Sequence, residues 1–473
     1  MRRLASILFK DLLFLGTLEL LVRVVAGLGF VSLPPADVSG FDRLQQGENA
    51  PVQKRLNQLD RNLIFRLRAN ADLVYPRTAL YPGKPTTYRV QTNDRGFRTP
   101  AVAETKLPGV FRIACLGDSS TFGMNVEGAD AYPQVLARLL EESHPGRFEV
   151  LNFGVPGYSS RQGLELLRQE VRRYEPDLVT FAFGTNDRFW HRTLSDDELI
   201  RMSQGAAGGV ILSLREGADH LYTYRLLKRG LILLTHRGLD AGRLEQSGPP
   251  RVSIEGMRDN IIAAHALLGE THARLIVLNN DFMATDARDG SVRGAEVAKV
   301  PYLDMYRTFH DVQQARTQQL AAAHHLPAAE SRPGKALFRV YAPGRKNVSV
   351  QWNSFFTQPV NVPLNDDGTG GDQVASDGIW SGSVAASTGE HIWYKYLEKV
   401  DSDFVPEYRE TFWGAARLRA MEDAGSDSID TFGEFYLHSD TAHPDEEGHR
   451  LIARSLLDAI LADDRVAAFL VGR

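Results

Sequence analysis

The chain has 473 residues, more than one hydrophobic core ordinarily organises, so we expect two or three domains. Hydrophobic residues make up 43% and charged residues 24%, a balance typical of folded globular proteins. The formal net charge is −5 and no long basic run is present, which argues against nucleic acid as a partner. The one cysteine, Cys115, excludes an internal disulfide and a cysteine-built metal site, and its apolar surroundings indicate a packing residue rather than a nucleophile.

Residues 1–35 predict an N-terminal membrane anchor helix. A basic start precedes an apolar stretch of 22 residues, 12–33, and no small-residue cleavage site follows, which favours an uncleaved anchor. Glu19 and Arg23 lie inside this stretch at i, i+4 spacing, where pairing lowers the cost of inserting two charges. The positive-inside rule then places the folded domains outside the cytoplasm, so we expect an inner-membrane-anchored, periplasmic protein. A helix packed on the protein itself, in a cytoplasmic or secreted protein, is the alternative.

Residues 36–106 are predicted to form a linker and a β-rich extension. The segment YRVQTNDRGFR, 88–98, alternates apolar and polar residues and then carries an Asn-Asp-Arg-Gly turn signal. We interpret it as part of a hairpin that covers an edge of the main domain.

Between residues 107 and 332, short apolar runs alternate with amphipathic helical patterns, which predicts an α/β domain with a parallel sheet and helices on both faces. Sites in such sheets lie at the carboxyl ends of the strands, where Gly117, Asn152 and Gly184 fall. Residues 190–250 interrupt the pattern with an apolar helical segment, which is either a lid or wall over the site or a core helix. The five predicted strands are FRIACL, FEVLNF, DLVTFAFG, RLIVLNN and VPYLDMY.

Residues 333–402 carry short alternating runs separated by Gly, Asn and Asp turns, which predicts an inserted all-β sandwich module. Strand and helix patterns resume in residues 403–473, so this last segment is predicted to complete the α/β domain. An acidic cluster in the insert lacks the EF-hand spacing, so plain Asp/Gly turns are favoured over a calcium site. Its members are Asp366, Asp367, Asp372 and Asp377.

The segment LGDSS, 116–120, directly follows the first apolar run of the predicted sheet. It is either a plain turn, in which Gly117 bends the chain and Asp118 caps the next element, or the position of a serine nucleophile. The second interpretation leaves Ser119 and Ser120 as candidates. It also requires a base and an oxyanion hole elsewhere in the chain.

The segment DTAHP near the C-terminus supplies a candidate base. His443 precedes Pro444, which is predicted to begin a helix, so the imidazole would lie at the mouth of that helix. Asp440, three residues earlier, can reach the imidazole Nδ1 and leave Nε2 free to accept a proton. Taken alone, the segment is equally consistent with a helix cap beside a surface histidine.

Two further strand ends supply candidate donors for an oxyanion hole. Gly157 in NFGVPG can bring a backbone N–H close to a substrate, and Asn186 in GTND offers a side-chain amide. The N–H of Ser119 would be the third donor. Glycine turns and asparagine caps are common, so it is their joint occurrence after predicted strands that favours an active site.

These four segments, in this order, resemble the four sequence blocks of the SGNH hydrolases, the GDSL esterase/lipase superfamily. The resemblance covers about 107–325 and 403–465. It implies a flavodoxin-like three-layer α/β fold that uses neither a metal nor an organic cofactor. The inserted module resembles immunoglobulin-like or carbohydrate-binding sandwiches more loosely.

The same resemblance assigns roles to the candidate residues. It implies that Ser119 is the nucleophile, that His443 is the base and that Asp440 orients this base. Ser120 stands where a larger residue is common in the family, which does not affect the chemistry. Ser119, Gly157 and Asn186 would form the oxyanion hole, and Gly117 and Asp118 would support the turn.

The residues and the resemblance together predict a serine ester hydrolase that works through an acyl-enzyme. Acylated glycans, with O-acetyl groups of a polysaccharide as one example, fit the predicted export and the sandwich insert, while lipid or small acyl esters stay open. The second prediction is an O-acyltransferase, since the same site would transfer the acyl group to a sugar hydroxyl if water were excluded. A non-catalytic glycan-binding protein is the third, and the complete set of catalytic residue types argues against it.

Overall fold

The computed structural model describes most of the α/β region and parts of its surroundings. The described residues are 2–30, 56–60, 62–77, 85, 87–188, 195–204, 218, 221–227, 250–279, 285–323, 335–354, 360–369, 372, 374–385, 391–398, 408–409, 417–420, 429–431 and 443–471. Of residues 190–250, which were predicted to form a lid, a wall or a core helix, only 195–204, 218, 221–227 and 250 belong to this set.

An N-terminal helix, α1 (Arg2–Gly27), differs from the predicted membrane anchor. In the part of the chain that the structure describes, no helix combines the length and the apolar character that a bilayer crossing requires. The predicted transmembrane helix is thus not supported by the described residues.

The α1 helix contacts residues 222 and 223 through the side chain of Glu19. This carboxylate accepts hydrogen bonds from Arg23 Nε at 2.8 Å and from the backbone N–H groups of Tyr222 and Thr223 at 2.7 and 2.9 Å. Although burial raises the pKa of Glu19, the hydrogen bonds from Thr223, Tyr222 and Arg23 outweigh it and lower this pKa to about 2. Most apolar side chains of α1 are nevertheless exposed, among them Leu13 at 61% and Phe14 at 67%, so the alternative of a helix packed on the protein itself is not confirmed.

Two hairpins follow. Strands β1 (Asn57–Asp60) and β2 (Ile64–Leu67) pair antiparallel, as do β3 (Asp72–Pro76) and β4 (Thr87–Gln91). Buried residues of the second hairpin, including Tyr75 and Tyr88, belong to the same hydrophobic cluster as one face of the central sheet. A hairpin is thus present, but it spans residues 72–91, the predicted turn at 93–96 lies beyond it, and its side chains pack with one face of the sheet rather than at an edge.

The central sheet has five parallel strands, as predicted. They are β5 (Phe111–Gly117), β6 (Phe148–Gly154), β7 (Leu178–Ala182), β8 (Arg274–Asn279) and β9 (Tyr302–Asp304). Their order in the sheet is β6-β5-β7-β8-β9. Alternate residues of β5 face opposite layers, because Ala114 and Leu116 join one hydrophobic cluster while Ile113 and Cys115 join another. The sheet is therefore covered on both faces, which gives the three layers of the predicted fold.

The helices of this region are α2 (Ser119–Phe122), α3 (Tyr132–Ser143), α4 (Ser160–Gln169), α5 (Asp196–Gln204), α6 (Ile254–Gly269), α7 (Thr285–Ala298), α8 (Met305–Ala323), α9 (Glu446–Leu461) and α10 (Asp464–Val471). Short 3₁₀ turns lie at Gly128–Asp130 and Val171–Tyr174. Apolar residues of α4 and α6 pack on one face of the sheet, and those of α3 and α9 pack on the other.

Among the described residues between α8 and α9, every helix-or-strand element is a strand, and these strands continue to residue 431, past the predicted end of the module at residue 402. They are β10 (Lys335–Tyr341), β11 (Val348–Ser354), β12 (Val360–Pro363), β13 (Ile379–Ala385), β14 (His391–Glu398), β15 (Tyr408–Arg409), β16 (Arg417–Ala420) and β17 (Asp430–Thr431). One sheet has the order β13-β10-β17 and the other β12-β11-β14-β15, with β16 also on β14. Phe338 of β10 and Tyr394 of β14 share one buried cluster. The resemblance of this module to immunoglobulin-like or carbohydrate-binding sandwiches stays a prediction.

Candidate active site

The turn after β5 places Ser119 at the carboxyl edge of the sheet. Asp118 is the N-cap of α2, and its Oδ1 accepts a hydrogen bond from the Ser120 N–H at 3.0 Å. Gly117 permits the turn, since a Cβ there would collide with Thr121 Oγ1 and crowd the Ala182 carbonyl oxygen. Asp118 thus holds the turn through the backbone while Ser119 occupies the first position of the helix.

The two serines of this turn have different surroundings. His443 Nε2 lies 2.9 Å from Ser119 Oγ, which is hydrogen-bond distance between a hydroxyl and an imidazole. Ser119 is partly exposed, whereas Ser120 is 3% exposed. A substrate therefore has access to Ser119 but not to Ser120.

His443 comes from the chain after the all-β region, 324 residues from Ser119. It lies just before α9, where Asp445 is the N-cap and accepts hydrogen bonds from the Glu447 and Gly448 N–H groups. The helix begins at Glu446 rather than at Pro444 as predicted, because Asp445 supplies the cap. Asp440, predicted to orient the imidazole, lies outside the described residues.

The end of β6 is bound tightly to α2, the helix that begins at Ser119. Asn152 is fully buried, and its Nδ2 donates to the Thr121 carbonyl oxygen at 3.0 Å while its Oδ1 accepts from the Gly154 N–H at 2.8 Å. A Cβ at Gly154 would collide with the backbone nitrogen of Phe122. The β6 loop and the α2 helix therefore have little freedom to move apart.

The three predicted oxyanion donors belong to connected segments. Asn186 Nδ2 donates to the Tyr158 carbonyl oxygen at 3.0 Å and to Asp118 Oδ2 at 3.3 Å, so it joins the Gly157 loop to the nucleophile turn. Gly157 has φ +82°, a left-handed conformation that glycine adopts without strain. Within the described part of the chain, no backbone carbonyl accepts a hydrogen bond from the N–H of Ser119 or of Gly157. Among the described residues these two N–H groups therefore have no backbone acceptor, while the Asn186 amide already donates to Tyr158 and Asp118.

A buried polar cluster behind this loop was missed by the sequence analysis. Arg251 and Asp196 are 6% and 0% exposed and form an ion pair at 2.9 Å. Asp187, beside Asn186, is also buried, and its Oδ1 accepts from the Ser160 N–H at 2.7 Å. Burial raises the pKa of Asp187 to about 7, with hydrogen bonds from Ser160 and the charge of Arg251 opposing the shift and Asp196 adding to it.

One signal in the sequence could have revealed part of this cluster. Ser159 and Gln162 form a capping box at the start of α4, and the S-x-x-Q spacing that produces it is visible in the sequence. Arg251 has no comparable signal, because its partners are 55 to 94 residues away along the chain.

Two other predicted features lie apart from this edge of the sheet. Burial raises the pKa of Cys115 to about 12, which keeps it a thiol at neutral pH. In the all-β region, carboxylate oxygens of Asp366, Asp372 and Asp377 lie within 4.8 Å of one another and could approach a cation. Asp372 and Asp377 accept hydrogen bonds from backbone N–H groups of their own loop, as expected for the predicted turns.

Comparisons with known proteins agree with this geometry. Residues 115–329 match the model of the GDSL-like Lipase/Acylhydrolase family, so this part of the chain is similar to that family. The family match supports a carboxylic ester hydrolase. The match ends before His443, which the fold brings to Ser119. A comparison with curated proteins gives no match.

Several solved structures resemble the chain at low sequence identity. A lipase/acylhydrolase from Enterococcus faecalis is 16% identical with a TM-score of 0.26, covering 42% of this chain and 79% of its own. The esterase EstA from Pseudoalteromonas is 12% identical with a TM-score of 0.25, covering 41% and 75%. A variant of Axe2, an acetyl-xylooligosaccharide esterase from Geobacillus, is 13% identical with a TM-score of 0.26, covering 44% and 82%. Scores of this size support no argument about the chemistry of this chain.

Proposed function

We propose that this protein, which is similar to the GDSL-like lipase/acylhydrolase family over residues 115–329, hydrolyses acyl esters with Ser119 as its nucleophile. The observation that carries the proposal is the 2.9 Å distance between Ser119 Oγ and His443 Nε2. An imidazole at this distance can remove the hydroxyl proton as the oxygen attacks a carbonyl carbon.

The reaction has two halves. In the first, Ser119 Oγ bonds to the acyl carbon as its proton moves to His443 Nε2, and the leaving alcohol then takes that proton as its bond to the acyl carbon breaks. In the second, water attacks the acyl-enzyme, gives a proton to His443 and releases the acid while Ser119 recovers its proton. The negative charge on the carbonyl oxygen would be stabilised by the N–H groups of Ser119 and Gly157 and by the Asn186 amide. That Asp440 orients His443 stays a prediction.

A fluorophosphonate probe tests the nucleophile directly, because it reacts with activated serines. The full chain is labelled as wild type, as Ser119→Ala and as Ser120→Ala. We expect labelling of the wild type and of Ser120→Ala and none of Ser119→Ala. Labelling that persists in Ser119→Ala would overturn the assignment. Ser120→Ala is the matched control, since it removes a hydroxyl from the next residue, which is 3% exposed.

The substrate class is a finer proposal. We propose O-acylated glycans, with support from the all-β region between α8 and α9, whose strand pattern resembles carbohydrate-binding sandwiches. Release of acetate from O-acetylated polysaccharides, compared with release of fatty acid from lipid esters, tests this choice. Preference for the lipid esters would contradict it.

Transfer instead of hydrolysis is the alternative outcome at the same site. An O-acyltransferase would pass the acyl group from Ser119 to a sugar hydroxyl, since water and the acceptor compete for one acyl-enzyme. Adding sugar acceptors during turnover separates the two, because a transferase forms acylated sugar while a hydrolase releases the same amount of acid as before.

A further inference from the structure

Arg251 lies buried directly behind the loop that carries Gly157. Its Nη1 donates to the Gly157 carbonyl oxygen at 2.7 Å. Its Nη2 donates to Asp196 Oδ2 at 2.9 Å and to Gln162 Oε1 at 2.6 Å. The planar guanidinium therefore fixes three groups at once, as its rigid arrangement of donors allows.

The peptide between Gly157 and Tyr158 is held on both sides. Its carbonyl oxygen accepts from Arg251, and its N–H, that of Tyr158, donates to the Val155 carbonyl oxygen at 3.1 Å. Glycine has more backbone freedom than other residues, so the loop could rotate at Gly157 without these bonds. Rotation would break a charge-assisted hydrogen bond in a buried place, where an unpaired guanidinium donor is costly.

Arg251 is itself held by both loops at this edge. Asp196 forms an ion pair with Arg251 and also accepts a hydrogen bond from Ser159 Oγ at 2.5 Å. The next residue, Val252, donates its N–H to the carbonyl oxygen of Asp187 at 3.1 Å, one residue after Asn186. Residues 251 and 252 thus connect the Gly157 loop with the loop that carries the Asn186 amide.

We propose that Arg251 is a positioning residue. By fixing the peptide that follows Gly157, it limits rotation about this glycine and so keeps the Gly157 N–H, which lies in the preceding peptide, where an oxyanion donor is required. The inference rests on the proposed ester hydrolysis. Oxyanion donors act on charge that develops in the transition state, so a displaced donor lowers kcat more than it raises KM. A purely structural arginine would lower the folded fraction without changing the turnover of each folded molecule.

Arg112 is the matched control for a purely structural arginine. It is 1% exposed, pairs with Glu149 at 2.7 Å and donates to the carbonyl oxygens of Glu104 and Tyr174. It lies near the start of β5, at the edge of the sheet opposite to Ser119. Arg112→Met and Arg251→Met therefore remove similar buried groups from opposite edges.

The experiment measures kcat and KM for p-nitrophenyl acetate, per active site counted by complete fluorophosphonate labelling. For Arg251→Met we expect kcat to fall about 100-fold with little change in KM, the size of effect that a misplaced catalytic group produces. For Arg112→Met we expect a lower melting temperature and a wild-type kcat per labelled site. Equal kcat values for the two variants would overturn the proposal.

Arg251→Lys keeps the test decisive if Arg251→Met does not fold. A lysine retains the charge but lacks the planar set of donors, so we expect an intermediate fall in kcat, about tenfold. A wild-type kcat in Arg251→Lys would contradict the positioning role. If the wild type itself does not hydrolyse esters, the proposed function fails; an active wild type with unaffected Arg251 variants overturns this inference alone.

Discussion

The two edges of the central sheet each bury an arginine, and they surround it differently. At the amino edge, Arg112 binds Glu149 and two backbone carbonyls, and these contacts close the end of the sheet. At the carboxyl edge, Arg251 binds Asp196 and the carbonyl oxygen of Gly157, a residue of the candidate oxyanion hole. The same side-chain chemistry thus fastens the fold at one edge and orients reacting groups at the other.

The largest loss of activity is expected on substitution of His443, which contacts Ser119 at the carboxyl edge. His443→Asn removes the base, so we expect kcat for p-nitrophenyl acetate to fall about a million-fold while the protein still folds. His265→Asn, on the exposed side of α6, is the control and should leave kcat unchanged. A kcat for His443→Asn within tenfold of the wild-type value would show that His443 is not the catalytic base.

One glycine at each edge tests whether changes at the carboxyl edge affect kcat more than changes at the amino edge. Gly154→Ala places a methyl group against the backbone nitrogen of Phe122, so we expect a loss of about 1–3 kcal/mol in unfolding free energy and a lower kcat. Gly146, just before β6, has φ +68° and open space around it, so Gly146→Ala should cost about 1 kcal/mol and leave kcat unchanged. Urea denaturation and steady-state kinetics measure both quantities. Equal kcat values would show that the carboxyl edge tolerates displacement of α2.

Asp187 predicts a smaller, pH-dependent effect at the carboxyl edge. Its pKa in the folded protein, raised by burial to about 7, lies above the ordinary value of 3.8, with Arg251 and Asp196 facing it. The folded state therefore holds a proton that the unfolded chain releases. The stabilisation is complete below pH 3.8 and disappears as the pH rises through 7.

Asp187→Asn, which cannot ionise, should become more stable relative to the wild type as the pH rises from 5 to 8. The slope is at most about 1.4 kcal/mol per pH unit. Melting temperatures of both proteins across this range provide the measurement. A constant difference between them would contradict the raised pKa.

The smallest effect is expected at Cys115, inside β5. Because burial raises its pKa to about 12, iodoacetamide at neutral pH should leave the folded enzyme fully active and unmodified. Modification is expected only in denaturant. Loss of activity that parallels alkylation of the folded protein would show that the thiol is accessible.

The central sheet could be predicted from the sequence because buried parallel strands appear as continuous apolar runs. The runs FRIACL and FEVLNF correspond to β5 and β6, and YPQVLARLLEES forms α3 over Tyr132–Ser143. The motif at the end of β5 indicated Ser119, since active sites in parallel sheets lie at the carboxyl ends of the strands. The segment DTAHP, just before a predicted helix, indicated His443.

The remainder depends on contacts that local patterns do not contain. Arg251 follows two prolines in a segment without periodicity, and its function is defined by Gly157 and Asp196, which are distant in sequence. For the N-terminal segment, apolar composition predicted a span, but composition did not show that the helix ends at Gly27. Glu19 also contacts Tyr222 and Thr223, which no local pattern could indicate.

The central claim, that Ser119 carries the acyl group, is tested most directly by trapping the acyl-enzyme. The wild type is mixed with p-nitrophenyl acetate, quenched in acid during turnover, digested and analysed by peptide mass spectrometry. The account predicts a burst of p-nitrophenol and an acetyl group on Ser119, with neither in Ser119→Ala. An acetyl group on Ser120, or turnover that persists in Ser119→Ala, would contradict it.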